Sequence, residues 1–217
     1  MSVMQQEIVS DERYLESFKG VTIYGVTGTN ASGKDTVMDL LEDHGFLRFS
    51  TSDCLRQISR SVFNSTQRGG NDTPMGRLGN AFREAYPGGM VELGLLEWWA
   101  RIGVLPAELH PKGLVIGSIR GVNEAKRLKE VGGKLIVTDA SPEARFSRIA
   151  GRGRADDHEL TYEEFLAKEA GDMAVGETDP TKFGMAAVIE MADIRIANDH
   201  NDVPAFKAQA AEALGLV

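Results

Sequence analysis

A glycine-spaced stretch from Gly28 to Thr36, Gly-Thr-Asn-Ala-Ser-Gly-Lys-Asp-Thr, has the residue types that bind phosphate. It follows an apolar run at Val21–Val26 and precedes a helical pattern that starts at Val37. Glycines let successive N–H groups turn toward one anion, and the start of a helix adds partial positive charge. The lysine supplies a point charge, and the threonine a hydroxyl in the first helical turn. This order of strand, loop and helix predicts a phosphate-binding P-loop rather than an ordinary capping turn.

Composition limits the classes of protein that this sequence can encode. The chain has 217 residues, 42% hydrophobic and 26% charged, which suits one α/β domain with a sizeable core. Its net charge of -8 argues against a general nucleic-acid or membrane-surface binder, because both usually need a basic surface. Cys54 is the only cysteine, which excludes an intrachain disulfide and a cysteine-based zinc site. No apolar run is long enough for a transmembrane helix, and we expect a cytoplasmic protein.

Strand-like and helix-like segments alternate along the chain, which predicts a parallel sheet with helices on both faces. The expected strands are Val21–Val26, Phe46–Phe49, Gly113–Gly117, Lys134–Thr138 and Ile194–Ala197. The stretch from Asp53 to Leu105 is helical in pattern and longer than one crossover, so it predicts a helical insertion over about 53–108. We therefore predict an α/β protein of the P-loop NTPase fold, with a five-stranded parallel sheet, as a single domain over residues 1–217.

Three arginines follow the strand that is expected to end near Asp139. Arg145, Arg148 and Arg152 lie three and four residues apart, so they share one helix face. Like charges repel, and such a face costs stability unless it closes on an anion such as a polyphosphate. A solvated basic face is the alternative. In the insertion, Trp98 and Trp99 are assigned to core packing.

Five segments occur in the order found in nucleoside-monophosphate kinases. They are the P-loop, Phe49–Arg56, Gly113–Ala125, Leu135–Arg154 and Met191–Asp199. The resemblance covers about Val21 to Lys207, nearly the whole chain. The sequence resembles a poorly characterised group of nucleotide-kinase-like proteins related to adenylate kinases and dephospho-coenzyme A kinases. The resemblance implies ATP and Mg²⁺ as cofactors, an acceptor-binding role for the helical insertion, and a short lid over about 152–161.

The resemblance implies a donor site for ATP. The residues assigned to it are Gly28, Asn30, Ala31, Ser32, Gly33, Lys34, Asp35, Thr36, Arg148 and Asn198. Asn198 ends the last expected strand, where these kinases place a turn against the adenine; holding a turn is the alternative role. Four cations are assigned to catalysis because they can neutralise the phosphoryl group in transfer: Lys34, Arg120, Arg148 and Arg152. We expect the Lys34 side chain to face solvent until a ligand binds.

The acceptor site implied by the resemblance consists of Asp53, Arg56, Arg120 and Glu124. Arg120 follows the third strand, where these kinases hold the acceptor phosphate, and its planar guanidinium fits a phosphate with two hydrogen bonds. Glu124 takes the position of a glutamine that reads the acceptor base. The alternatives are an exposed helix residue for Glu124 and a surface ion pair for Asp53 and Arg56.

The end of the third strand departs from the pattern of P-loop kinases. Those proteins often have an acid there that holds the water shell of magnesium, whereas this chain has Ile116, Gly117 and Ser118. The residue after Lys34 is also Asp35, where a P-loop usually has Ser or Thr. Magnesium commonly uses one or two carboxylates and keeps several waters. We therefore assign Asp35, Thr36 and Asp53 to the metal.

The sequence predicts an enzyme that moves the γ-phosphoryl group of ATP to a nucleoside or deoxynucleoside monophosphate. Its partner is then a small-molecule nucleotide, without nucleic acid or membrane, and the protein is a monomer or homodimer. Dephospho-coenzyme A kinase is one alternative; its acceptor is a sugar hydroxyl and needs a base, a role open to Asp53. The absent third-strand acid suggests another, a non-catalytic ATP-binding regulatory protein.

Overall fold

The computed structural model describes residues 12–65, 73–152, 160–176, 179 and 184–216. Its strands are β1 (Thr22–Thr27), β2 (Phe46–Ser50), β3 (Gly113–Gly117), β4 (Lys134–Asp139) and β5 (Ile194–Ala197). Neighbouring strands are parallel, and their order across the sheet is β2-β3-β1-β4-β5. The predicted α/β fold with a five-stranded parallel sheet is confirmed, and each strand lies within one residue of its expected bounds.

Helices connect the strands and cover both faces of the sheet. Their bounds are Glu12–Glu16, Lys34–Asp43, Thr51–Phe63, Pro74–Ala85, Gly89–Val104, Val122–Glu130, Pro142–Gly151, Tyr162–Met173, Met185–Glu190 and Val203–Ala213, with a 3₁₀ turn at Ala107–Leu109. The helices between β2 and β3 occupy the segment where the sequence predicts an insertion. Most of the predicted lid, residues 153–159, lies outside the described residues. Among the described helices, none is long and apolar enough to cross a membrane.

Alternate residues of the central strands enter two hydrophobic cores, one on each face of the sheet. Ile23 and Leu114 belong to the core that contains Trp98, whereas Tyr24 and Val115 belong to the core on the opposite face. This alternation follows from the two-residue period of a strand, and burial on both faces is typical of parallel sheets. Trp98 is only 4% exposed, and Trp99 packs against the same cluster, so their predicted role in core packing is confirmed.

Polar side chains cap the N-termini of several helices and so determine where these helices begin. Ser50, Thr73, Ser141, Thr161 and Asp202 each accept a hydrogen bond from a backbone N–H in the first turn that follows. A cap of this kind stabilises a helix by about 1 kcal/mol. At Thr161, the backbone N–H also donates to Glu164 at 2.8 Å, as in a capping box.

A buried polar cluster joins the helix Glu12–Glu16 to the insertion. The Tyr14 hydroxyl donates to one carboxylate oxygen of Glu92, and Arg127 Nε donates to the other at 2.7 Å. Tyr14 is fully buried and Glu92 nearly so. Burial, reinforced by the Glu92 carboxylate, raises the pKa of Tyr14 well above its ordinary value, so the hydroxyl keeps its proton. The carboxylate is thus paired in the core rather than left as an isolated charge.

The last residue of β3 packs tightly against the P-loop helix, Lys34–Asp43. A Cβ atom on Gly117 would lie 2.2 Å from Met38 Sδ, and Met38 is 1% exposed. Position 117 therefore leaves no room for a side chain unless Met38 moves. An acid at this point of the third strand would require the Met38 side chain to move.

We expect Gly117→Ala to lower the free energy of unfolding by about 1–3 kcal/mol, because overpacking forces a buried side chain out of its preferred position. Urea denaturation measures this change. Gly103→Ala is the matched control: a Cβ atom there meets nothing within 4 Å, and the residue lies in the helix Gly89–Val104. Alanine should leave stability unchanged or raise it at this site. A Gly117→Ala protein as stable as the wild type would contradict the packing argument.

Candidate functional site

The P-loop joins β1 to the P-loop helix and depends on two glycines. Gly28 and Gly33 have φ values of 137° and 107°, which favour glycine. A Cβ atom on Gly28 would lie 2.3 Å from the carbonyl oxygen of Thr138, and one on Gly33 would lie 2.4 Å from Asn198 Nδ2. The predicted strand, loop and helix are therefore present, and the loop is pressed against the ends of β4 and β5.

Hydrogen bonds hold the P-loop from behind. The buried Ser32 hydroxyl lies 2.7 Å from the hydroxyl of Thr138 and 2.9 Å from the carbonyl oxygen of Thr29. Asn198 Nδ2 donates to the carbonyl oxygen of Ser32 at 2.9 Å. Gly28 and Ser32, which were assigned to ATP contacts, are both buried and lie behind the cavity wall. Asn198 holds the loop, the alternative raised from sequence, and it also lines the cavity.

The expectation that Lys34 faces solvent is wrong. Its side chain is half-buried and folds back on the P-loop, where Nζ donates to the carbonyl oxygen of Thr29. Burial, together with the nearby charges of Arg120, Arg152 and Arg145, lowers the pKa of Lys34 to about 7, and Asp35 partly opposes this shift. The ammonium group therefore lies in a desolvated, positive environment that an added anion would favour.

One large cavity lies at the carboxyl ends of the parallel strands, which is where open α/β sheets bind ligands. Its volume is about 1330 Å³. Of the residues assigned to ATP, those on its wall are Asn30, Ala31, Gly33, Lys34, Asp35, Thr36, Arg148 and Asn198. A single small-molecule site usually measures about 300–1,000 Å³, so this volume accommodates two ligands side by side.

The cavity concentrates positive charge in an acidic protein. Among the residues that the structure describes, nine cationic side chains line it, against three carboxylates. The cations are Lys34, Arg48, Arg56, Arg60, Arg83, Arg120, Arg148, Arg152 and Lys168, and the acids are Asp35, Asp53 and Asp172. Since the whole chain carries a net charge of -8, this local excess marks an anion-binding site.

Three of the four residues assigned to the acceptor lie on the cavity wall. Asp53 and Arg56 come from the first turns of the helix Thr51–Phe63, and they form an ion pair. The ion pair that the sequence offered as an alternative role for these two residues is therefore present, but it lies on the cavity wall rather than on the outer surface. Partial burial raises the pKa of Asp53, yet hydrogen bonds with Ser50 and Arg56 bring it below its ordinary value. Arg120 is half-buried beside Met185, with Nη1 3.9 Å from the sulfur.

Glu124 is not where the sequence places it. The residue is 1% exposed and does not line the cavity. One carboxylate oxygen accepts from Arg83 Nε at 2.7 Å, and the other accepts from the backbone N–H groups of Arg120 and Gly121 at 2.7 and 2.9 Å. Both the base-reading role and the exposed alternative are wrong. Glu124 instead caps its own helix, fixes the backbone of Arg120 and neutralises Arg83.

The three arginines of the helix Pro142–Gly151 and its C-cap have different roles. Arg145 is buried, donates to the carbonyl oxygen of Ala140 at 2.8 Å and pairs with Glu169, so it does not join a phosphate-binding face. Arg148 lines the cavity and donates to backbone oxygens of the P-loop and of the turn after β5, those of Ala31, Asn198 and His200. Arg152 also lines it, with its guanidinium 3.4 Å from Asn30 Oδ1. Arg154 lies outside the described residues.

The residues assigned to magnesium suit an ion that is held partly by phosphate and water, rather than by protein side chains alone. Thr36 lines the cavity in the first turn of the P-loop helix. The Asp35 carboxylate lies 3.9 Å from the Arg48 guanidinium, and Asp53 pairs with Arg56. Among the described residues, no cluster of three or more His, Cys, Asp or Glu side chains could hold a metal. Magnesium bound mainly by phosphates and water needs only one or two protein carboxylates, which these residues can provide.

Five charged residues that line the cavity were missed from the sequence: Arg48, Arg60, Arg83, Lys168 and Asp172. Arg48 on β2 lies between 3.6 and 3.9 Å from the carboxylates of Asp35, Asp39 and Glu42. Lys168 and Asp172 lie on the helix Tyr162–Met173, one turn apart, and both line the cavity. Their four-residue spacing was a usable signal, because it puts them on one helix face. Nothing in the sequence showed that this face turns toward the P-loop.

The sequence is similar to proteins that have no activity in their names. It is 26% identical over 196 residues to a UPF0200 protein of Pyrobaculum aerophilum. The aligned region covers 89% of this chain and 97% of that protein. It is 28% identical over 192 residues to a UPF0200 protein of Hyperthermus butylicus, with 87% and 91% covered. No family model matches the sequence.

One solved structure with a similar chain trace is that of the protein TT1252 of Thermus thermophilus, with a TM-score of 0.47 and 22% identity. The match covers 90% of this chain and 97% of that chain. A shikimate kinase of Bacteroides thetaiotaomicron has a TM-score of 0.47 and 17% identity, with 89% and 98% covered. Structural similarity of this degree carries no argument about activity. The strand order and the P-loop between β1 and its helix place the chain in the P-loop NTPase fold.

We expect Glu124→Gln to lower the free energy of unfolding by about 3–5 kcal/mol, because it removes the carboxylate charge that pairs with the buried Arg83 guanidinium. Chemical denaturation measures the change. Glu130→Gln is the control: it lies on the same helix, and its pair with Arg127 at 3.4 Å is exposed. An exposed pair of this type is worth at most about 1 kcal/mol. Equal effects of the two substitutions would contradict the role assigned to Glu124.

Proposed function

We propose that this protein is an ATP-dependent phosphotransferase that moves the γ-phosphoryl group of ATP to a nucleoside or deoxynucleoside monophosphate. The observation that carries the proposal is the positive cavity: nine cationic side chains converge on one space that begins at a P-loop. Phosphoryl transfer between two nucleotides brings several negative charges together. A protein that catalyses it must neutralise and position them, and it contributes little covalent chemistry.

The donor end of the cavity is the end formed by the P-loop. Here, Lys34 would meet the outer phosphates of ATP, and Arg148 and Arg152 would approach from the helix Pro142–Gly151. Two of these cations already contact loop oxygens, Lys34 that of Thr29 and Arg148 that of Ala31. Phosphate oxygens can replace such carbonyl acceptors and form stronger, charge-assisted hydrogen bonds.

The acceptor end is bounded by the helices Thr51–Phe63 and Pro74–Ala85, which supply Arg56, Arg60 and Arg83. Arg120 also lines the cavity, and its charge is coupled to Lys34 of the P-loop and to Arg83 of the acceptor end. It would hold the acceptor phosphate while Lys34 holds the donor. The volume of about 1330 Å³ is consistent with two nucleotides bound at the same time.

Magnesium would be held by the Thr36 hydroxyl together with phosphate oxygens, and by Asp35 or Asp53 through water. The ion, when bound, would neutralise negative charge on the phosphates. The protein residues orient its water shell and keep bulk water from the transferring group.

Dephospho-coenzyme A kinase remains an alternative because Asp53 does line the cavity at the end of β2, where a base for a hydroxyl acceptor would lie. ADP formation separates the possibilities when it is measured with ATP alone, with a panel of nucleoside monophosphates, and with dephospho-coenzyme A. Turnover that requires a monophosphate supports our proposal. Turnover only with dephospho-coenzyme A supports the alternative, and ATP binding without any turnover supports a regulatory protein.

We expect Lys34→Ala to reduce phosphoryl transfer by at least about 100-fold, because it removes a cation aimed at the transferring group. The comparison measures ADP formation and ATP affinity. Lys126→Ala is the control, since this exposed lysine lies on the helix Val122–Glu130 away from the cavity. Unchanged ATP affinity and turnover in Lys34→Ala would overturn the phosphate site.

We expect the double variant Asp35→Asn, Asp53→Asn to need a higher magnesium concentration for half-maximal ADP formation, because both carboxylates available at this wall lose their charge. Affinity for ADP in the absence of magnesium should not fall, since no cation is removed. Magnesium titrations of the wild type and the double variant test this. An unchanged magnesium requirement would show that another acid organises the metal.

A further inference from the structure

Ser118, the first residue after β3, has a backbone conformation that residues with a side chain rarely adopt. Its φ value is 65°, in the left-handed region, where glycine is favoured because a Cβ atom causes strain. Such strain persists only where the surrounding structure fixes the backbone, and it is common at binding and active sites. Ser118 is half-buried and lines the cavity. The strained residue therefore lies in the proposed site.

Hydrogen bonds from both neighbouring strands fix the turn that contains Ser118. On the β2 side, the buried Thr51 hydroxyl lies 3.0 Å from the carbonyl oxygen of the residue before Ser118 and 3.2 Å from that of Ser118 itself. On the β1 side, the buried Thr27 hydroxyl donates to the carbonyl oxygen of Ile119 at 2.7 Å. The Ile119 N–H donates to the carbonyl oxygen of Val26 at 3.2 Å. All of these contacts are made to the backbone of the turn.

The Ser118 side chain takes no part in holding the turn. Within the part of the chain that the structure describes, its hydroxyl makes no hydrogen bond. Glycine at position 118 would keep every backbone contact of the turn and would remove the strain. The serine side chain thus adds strain without a polar contact inside the protein, which points to a role for its hydroxyl in the cavity.

The strand order places Ser118 between the two proposed ends of the cavity. β3 lies between β1, which leads into the P-loop, and β2, which leads into the helix Thr51–Phe63. A phosphoryl group that moves from the P-loop to this helix would therefore pass the end of β3. A Cβ atom on Gly117 would lie 2.2 Å from Met38 Sδ, so position 117 leaves no room for a side chain unless Met38 moves. Ser118 is thus the first residue at the end of β3 whose side chain can reach this point.

We propose that the Ser118 hydroxyl donates a hydrogen bond to the γ-phosphate of bound ATP. A serine hydroxyl can donate to a phosphate oxygen, and a hydrogen bond to a charged group is stronger than one between neutral groups. This inference rests on the proposed function. It gives a ligand-binding role to the end of β3, where this chain lacks the acid found in many P-loop kinases.

The test is the affinity for ATP and for ADP without magnesium, measured by isothermal titration calorimetry. Ser118→Ala keeps the Cβ atom and the backbone strain but removes the hydroxyl. It should bind ATP about tenfold more weakly than the wild type, the size expected for one hydrogen bond to a charged group, and should bind ADP equally well. Ser61→Ala is the control, since it removes an exposed hydroxyl from the helix Thr51–Phe63 outside the cavity and should leave both affinities unchanged.

Ser118→Gly separates the hydroxyl from the strain. It should show the same loss of ATP affinity as the Ala variant. Its melting temperature, followed by circular dichroism, should be at least as high as that of the Ala variant, because relief of strain offsets the greater freedom of the unfolded chain.

Each outcome separates this inference from the proposed function. Weaker ATP binding by both Ser118 variants, with ADP affinity retained, supports the contact. Equal ATP affinity of the Ala variant and the wild type overturns it and leaves the phosphate site intact. An equal loss for ATP and ADP also overturns it, because the hydroxyl would then act on phosphates that both nucleotides share. If the wild type binds neither nucleotide, the proposed function fails, and this inference fails with it.

Discussion

Desolvated positive charge is the constraint on which the rest of this structure depends. Nine cationic side chains around one cavity repel each other, and the fold must offset that repulsion when no ligand does so. It does this in two ways. Arg148 and Lys34 donate to backbone carbonyl oxygens of the P-loop, whereas Arg56 and Arg83 pair with carboxylates. The acidic excess of the chain lies mostly outside the cavity, which leaves the cavity selective for anions.

Buried hydrogen bonds connect the cavity residues to the sheet. The P-loop backbone is held by Ser32 against Thr138 on β4 and by Asn198 after β5. Glu124 fixes the backbone N–H groups that follow β3 and neutralises Arg83 from the insertion. The residues that we propose to bind phosphate thus come from separate elements but share buried polar contacts. A change in one of these contacts alters the position of cations that it does not touch directly.

The sequence predicted the fold well because periodic patterns and local signals are encoded within a few neighbouring residues. The strand bounds, for example, followed from apolar runs in the sequence. The P-loop was readable because Gly28 and Gly33 have a backbone requirement that few other residues meet. Each of these features depends on residues close together in the chain.

The errors concern contacts between distant elements. Nothing near Glu124 in the sequence indicates that Arg83, 41 residues earlier, lies against it in the core. The same limit hid the difference between Arg145, which is buried against Glu169, and Arg148, which lines the cavity, although both lie on one helix. Asp172 was missed because the orientation of its helix depends on packing with the helix Pro142–Gly151. The sequence specifies which residues are charged, and tertiary packing decides which of those charges meet.

The two tryptophans have a consequence for spectroscopy. Trp98 donates from its indole N–H to the carbonyl oxygen of Ser17 at 3.4 Å, and Trp99 lies edge-on to Tyr14 with ring centroids 5.7 Å apart. Both belong to the core between the insertion and the sheet, and neither lines the cavity. Their ultraviolet emission therefore reports on the docking of the inserted helices against the sheet. Ligand occupancy needs a separate optical label, for which the half-buried thiol of Cys54, next to Asp53 in the chain, is the natural attachment point.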